Sequence, residues 1–175
     1  MYVSKRTAVA LLTAAALAGS ATTAITAVAH QGGRDQGRIH HEDGNRLVLF
    51  TSLAPSVPND PSLLGAAAGG VPWILRSGEA KLHGDGRLTV RIRGLLIPSG
   101  QLAGTTGPVK TVSASLYCAD NSTPVGTSDP VPLSSDGDAR ITTTVMLPSK
   151  CQIPALLIHP NGALGLYITT SGFGG

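Results

Sequence analysis

Residues 87–94 read RLTVRIRG, so that Leu88, Val90 and Ile92 are interleaved with Thr89, Arg91 and Arg93. Successive side chains of an extended strand point to opposite faces. This spacing therefore gathers three aliphatic groups on one face and leaves the other polar. A helix would spread the same residues around its circumference. The preceding residues 78–83 (GEAKLH) turn Ala80 and Leu82 the same way. Between the two runs, Gly84-Asp85-Gly86 supplies the positive backbone angles of a tight connection, which predicts a hairpin.

The same period of two returns further on. Residues 109–118 (VKTVSASLYC) place Val112, Ala114, Leu116 and Cys118 on one face. Residues 139–147 (ARITTTVML) share a face through Ala139, Ile141, Thr143, Val145 and Leu147, and with residues 131–133 they flank the turn SSDGD, predicting a second hairpin. A third is predicted from residues 153–159 and 164–170 around Pro160-Asn161-Gly162. Residues 46–53 (RLVLFTSL) suit a strand, after which Pro55, Pro58 and Pro61 interrupt pairing, and residues 62–70 read as a loop. Many short strands with Gly, Pro, Asn and Asp turns and no amphipathic helix indicate an all-β fold. The expected architecture is a two-sheet antiparallel β-sandwich, immunoglobulin-like or similar, with a small β-barrel as the alternative.

Residues 1–29 stand apart from this pattern. Lys5 and Arg6 precede an apolar run that ends in small residues, and Ala27-Val28-Ala29 has the form of a signal-peptidase site. The expected organisation is a signal peptide over residues 1–29, a flexible polar leader over 30–46, and one domain over 47–175 with its regular strands mainly within 78–170. Export to the cell exterior follows, with no membrane association after cleavage. An uncleaved anchor is the alternative, although the run is only weakly apolar.

The sequence pI is about 9.1. Two of the 13 basic residues fall in the signal, however, which leaves eleven against ten acidic ones. A nearly neutral remainder offers no electrostatic footprint for nucleic acid, and none is expected as a partner. Cys118 and Cys151 are the two cysteines of the chain. In an oxidising compartment they are expected to form a disulfide that ties two sheets or pins a loop to one.

Residues 69–173, through GGVPW, GEAKLHGDGRLTVRIRGLLIP, GPVKTVSASLYC, GDARITTTVMLP and HPNG, resemble exported β-domain proteins of actinobacteria to which no activity is assigned. Residues 78–95 are also similar to the opening of CHRD domains, β-sandwiches of secreted proteins. Those domains continue with a histidine-bearing strand where this chain has SASLYC. The likeness thus implies a fold and a secreted setting, and no activity.

Reactive groupings are sparse. His40-His41-Glu42-Asp43 is the densest set of potential metal ligands, but it falls in the leader, where nothing rigid holds it, so no metal and no cofactor is expected. No G-x-S-x-G nucleophile turn occurs, and Asp136 and Asp138 lack the spacing of a calcium loop. Arg87, Arg91 and Arg93 should form an outward basic stripe, matched to anionic wall polymers or phosphorylated sugars and countered in part by Glu79. Tyr117 and Tyr167 should also face outward, and Trp73 should act as a core lid. Asn121-Ser122-Thr123 matches a glycosylation acceptor. The expected role is a non-enzymatic structural or binding module for a cell-wall polymer or an extracellular protein, with loop 98–108 and open sheet edges as contact regions. The competing expectation is a secreted hydrolase or metal enzyme assembled from His83, His159, Asp136 and Asp138.

Overall fold

A computed structural model describes residues 43–118 and 122–171. The residues expected to form a signal peptide, most of the expected leader including His40, His41 and Glu42, and Asn121 lie outside the described residues. Within them the fold is all-β, with no α-helix. Its strands are β1 (Leu47–Pro55), β2 (Ala67–Ala68), β3 (Ser77–His83), β4 (Arg87–Arg93), β5 (Thr111–Tyr117), β6 (Gly126–Thr127), β7 (Val131–Pro132), β8 (Ala139–Thr144), β9 (Ala155–Pro160), β10 (Leu166–Tyr167) and β11 (Thr169–Ser171).

Nine of these form one antiparallel sheet in the order β6-β5-β9-β11-β1-β3-β4-β8, with β7 also paired to β5. The long β1 is the joint. Its first part, through Ser52, pairs with β3, and its last three residues pair with β11 on the other edge. On either side of this joint the sheet curls so that both halves turn their apolar faces to one core. Leu82, Leu88, Val90, Ile92 and Ile141 come from one half, and Val112, Ala114, Leu116, Leu156 and Ile158 from the other. Burying each of these larger aliphatic side chains contributes about 1.5–3 kcal/mol, well above the tenths expected from an exposed cross-strand pair, so the alternation determines which face turns inward.

The first hairpin forms as expected, with Ala80 opposite Val90 and Leu82 opposite Leu88. Trp73 is buried in the core cluster, also as expected. The second predicted hairpin does not form. Ser134 N–H donates to Asp138 O across the turn, but β7 pairs with β5 and β8 with β4, so the chain crosses from one half of the sheet to the other. In the third, β9 and β11 pair, while Leu166-Tyr167 leave to lie parallel to β2. Ile168 N–H and the pairing of Thr169 both use Ile158, so an extra residue kinks the strand there.

Residues 62–70 are more ordered than a plain loop. Leu63 and Ala66 exchange two hydrogen bonds around Leu64-Gly65, both at positive φ, as a two-residue hairpin turn requires. This segment explains a correction. Tyr117 and Tyr167 do lie on the face away from the main core, yet they are buried, because Leu63, Leu64, Ala66 and Ala68 cover them as a second small cluster. Tyr167 Oη donates to Pro61 O at 2.8 Å, which anchors the cover. Neither tyrosine is a ligand-facing surface residue. The end of the leader is also tied down, since Gly84 N–H donates to Arg46 O and Asp85 N–H to Gly44 O.

The disulfide between Cys118 and Cys151 is present, with its Cα atoms 4.9 Å apart. Tyr117 pairs with Ala155 in the β5–β9 ladder. The bridge therefore pins the loop before β9 to the end of β5, within one half of the sheet.

Candidate functional site

Arg87, Arg91 and Arg93 are exposed on the outer face of β4, as the alternation predicts. They are not equivalent. Arg87 Nη2 donates to Asp85 Oδ2 at 2.9 Å, and its backbone N–H donates to Asp85 Oδ1 at 3.0 Å. That backbone bond first, and the guanidinium second, hold the Asp85 carboxyl below the usual value. The charge of Arg87 is thereby answered within its own turn.

Arg91 is answered only in part. Its Nη1 lies 3.8 Å from Glu79 Oε1, a carboxylate that also lies 4.0 Å from Lys81 Nζ. In the β4–β8 ladder Arg91 stands directly opposite Arg140, and cross-strand neighbours on one face lie close enough for like charges to repel. Among the described residues no carboxylate lies within 4 Å of Arg93 or Arg140. Two open hollows flank this trio. One, of about 240 Å³, is bounded by Ser77, Glu79, Arg91 and Arg93; the other, of about 490 Å³, by Arg91, Arg93, Pro132, Arg140 and Asp138. Arg140 belongs to the face although sequence reasoning passed it over, because only the strand register makes it a neighbour of Arg91.

Of the residues expected for an assembled enzyme site, Asp136 and Asp138 line one hollow beside Arg76, while His83 and His159 are held by other partners. His83 Nδ1 donates to Asn45 O at 3.1 Å at the end of β3. Asp138 accepts from Gly94 N–H at 2.8 Å and pairs with Arg76 at 3.6 Å, and Asp136 is an exposed turn residue. His159 is fully buried on β9, with Nδ1 donating to Leu166 O at 2.6 Å. Among the described residues no group of three His, Cys, Asp or Glu is arranged to hold a metal ion. Ser113 stands opposite His159 across the β5–β9 ladder. Both side chains are buried, neither Ser113 Oγ nor His159 Nε2 has a partner, and a backbone carbonyl occupies the place a carboxylate takes in a catalytic triad. A nucleophile so enclosed has no route to substrate.

A second concavity was not legible in the sequence. It is an apolar cleft of about 360 Å³ between residues 69–73, 97–109 and 160–168, and loop 98–108 contributes Leu102 and Pro108 to its wall. Trp73 lines it, and the indole Nε1–H is enclosed without a hydrogen-bond partner.

No family model, curated protein or solved structure matches this chain.

Burial holds the pKa of His159 below its ordinary value, against the opposing pull of the Leu166 carbonyl. A protonated ring would place a second N–H at Nε2 with no acceptor in reach. The unfolded chain then binds more protons than the folded one as pH falls below about 6.5, so stability declines with falling pH by at most about 1.4 kcal/mol per unit. The loss stops once pH passes below the folded-state pKa. Urea midpoints measured between pH 7.5 and 5 should fall for the parent protein and stay flatter in His159→Gln. Parallel slopes in the two proteins would assign the pH dependence elsewhere.

Proposed function

We propose that this chain is an exported, non-enzymatic binding module that engages an anionic wall polymer through Arg91, Arg93 and Arg140. The observation that carries the proposal is the direct opposition of Arg91 and Arg140, with Arg93 beside them; among the described residues Glu79 is the carboxylate within 4 Å of the three, and Asp138 at the edge of the hollow is paired with Arg76. Oxyanions on a polymer relieve this repulsion, and planar guanidinium groups meet phosphate or carboxylate oxygens two at a time. The signal-like residues 1–29 and the Cys118–Cys151 bridge support an extracellular setting. The enclosure of His159, and the engagement of His83 with Asn45 and of Asp138 with Gly94 and Arg76, favour binding over catalysis. In the same reading the curled sheet is a sandwich whose leaves meet at β1, in keeping with the resemblance to exported actinobacterial β-domain proteins.

Binding to poly(glycerol phosphate), followed by calorimetry, tests the proposal. Exposed charge pairs contribute about 0.5 kcal/mol each, so the triple variant Arg91→Gln, Arg93→Gln, Arg140→Gln should bind about tenfold more weakly. Its affinity should also depend less steeply on salt. Arg87→Gln, whose charge Asp85 already answers, is the control and should bind like the parent. Equal losses in Arg87→Gln and the triple variant would reduce the interaction to net charge and defeat the assignment.

A further inference from the structure

We propose that the apolar cleft beside Trp73 is a binding site for a neutral, mainly apolar molecule of about a dozen heavy atoms that carries one hydrogen-bond acceptor. It shares no lining residue with the guanidinium face and does not depend on that reading.

Size sets the first limit. A dry cavity of about 150 Å³ accepts benzene, so a space of about 360 Å³ has room for roughly twice as many heavy atoms, at the lower end of small-molecule sites. Charge sets the second. No ionisable side chain lines the cleft, so a carboxylate or ammonium placed there would lose its hydration without gaining a counter-ion. A neutral occupant is the one that fits. Apolar surface also continues to the rim, where Val71, Leu102 and Leu166 remain 37%, 44% and 40% exposed. Folding thus leaves uncovered a patch continuous with a hollow, the arrangement expected of a recognition surface.

Trp73 sets the third limit. The residue is only 3% exposed, yet its Nε1–H has no partner, whereas buried indole N–H groups ordinarily find one. Gly69, which also lines the cleft, stands beside the indole without a side chain. A Cβ at that position would lie 3.3 Å from Trp73 Nε1 and 3.2 Å from Ile168 Cγ2, so any side chain would crowd the donor. A carbonyl or ether oxygen entering from the cleft supplies the missing acceptor and gives the site its one directional contact.

The walls are set before any ligand arrives. Asn161 Oδ1 accepts from the backbone N–H of Lys110 at 2.9 Å and of Thr111 at 3.2 Å, and its Nδ2 donates to Pro108 O at 3.2 Å. One side chain thereby ties the wall at residues 108–111 to the turn that follows β9. Loop 98–108 is closed on itself by Ile97 N–H to Thr105 O and Gly104 N–H to Ile97 O. A hollow braced on two sides loses little conformational freedom on binding.

Trp73 is the single tryptophan of the chain, so its emission reports on the cleft. The probes are methyl decanoate, dodecane and decanoate, similar in length but differing in acceptor and charge. Methyl decanoate should titrate the emission saturably at neutral pH. Dodecane, which cannot accept the indole N–H, and decanoate, which brings an unpaired charge, should each bind about tenfold more weakly. Gly69→Ala should remove the preference for the ester over the alkane, and Trp73→Phe, followed by calorimetry, should remove it too. Poly(glycerol phosphate) binding should be unchanged in both. No saturable binding of the ester, or equal affinity for ester and alkane in the parent protein, overturns the proposal. So does an emission shift that follows protein concentration together with a dimer in sedimentation, which would give the cleft to a second copy of the chain.

Discussion

Replacing Cys118 and Cys151 together by alanine is expected to lower the melting temperature by about 10–15 °C. The bridge closes 33 residues, and in the chain-entropy model a loop of that length restricts the unfolded chain by roughly 3.7 kcal/mol. For a domain of this size each kcal/mol moves the midpoint by about 3–4 °C. Two local features argue that little of this is recovered. Among the described residues no hydrogen bond reaches residues 146–154, so the connection from β8 to β9 is held chiefly by the bridge and by Leu147 against the core. Within it Ile153 sits at φ 49° immediately before Pro154, a conformation unfavourable for a β-branched residue and for any residue preceding proline. Freed of the cross-link, this segment should relax and take protease cuts first, since Met146 and Ile153 are 90% and 80% exposed. Scanning calorimetry of the parent and the double variant, each with and without reductant, checks the claim. A parent protein whose midpoint moves by less than about 3 °C on reduction would show that packing alone secures the loop.

How far the sequence exposed this architecture depends on what each signal encodes. The alternation in residues 78–93 and 111–117 gave the correct inward faces because burial of Leu82, Val90, Ala114 and Leu116 overrides every weaker preference. The turn SSDGD was equally plain, but turn chemistry specifies a change of direction, not the partner of the strand that follows. Thus β7 and β8 part company to reach β5 and β4. Period two also separates two faces without saying whether the second is covered. Tyr117 and Tyr167 were misplaced for that reason, and the unpatterned apolar run LLGAAA was the one signal that a cover existed.

The candidate sites were less legible still. Arg91 and Arg93 are visible from their own strand, whereas Arg140 joins them only through the β4–β8 register. The cleft draws on three segments distant in sequence, with Trp73, Gly69 and Asn161 meaningful only once assembled. Such an arrangement leaves no local pattern to read.

Gly137→Ala should be strongly damaging for a single-methyl addition, costing about 3–5 kcal/mol. Gly137 lies at φ 76°, and a Cβ there would run into the backbone nitrogen and oxygen of Leu95. Its carbonyl accepts from Leu95 N–H at 2.9 Å, and the adjacent Asp138 Oδ1 accepts from Gly94 N–H at 2.8 Å. To make room, the turn must lift away from β4 and surrender both bonds, each a net contribution of roughly 1 kcal/mol. The left-handed backbone adds about 1–2 kcal/mol for alanine, and partial exposure of the fully buried Leu95 adds the remainder. Gly100→Ala separates these causes. Gly100 has φ 83° but nothing within 4 Å of its missing Cβ, so it should show the backbone cost alone, about 1–2 kcal/mol. Urea unfolding of the two variants side by side gives the difference. Equal losses would mean that Gly137 serves only its dihedral angle, and that the turn between β7 and β8 does not need its close approach to Leu95.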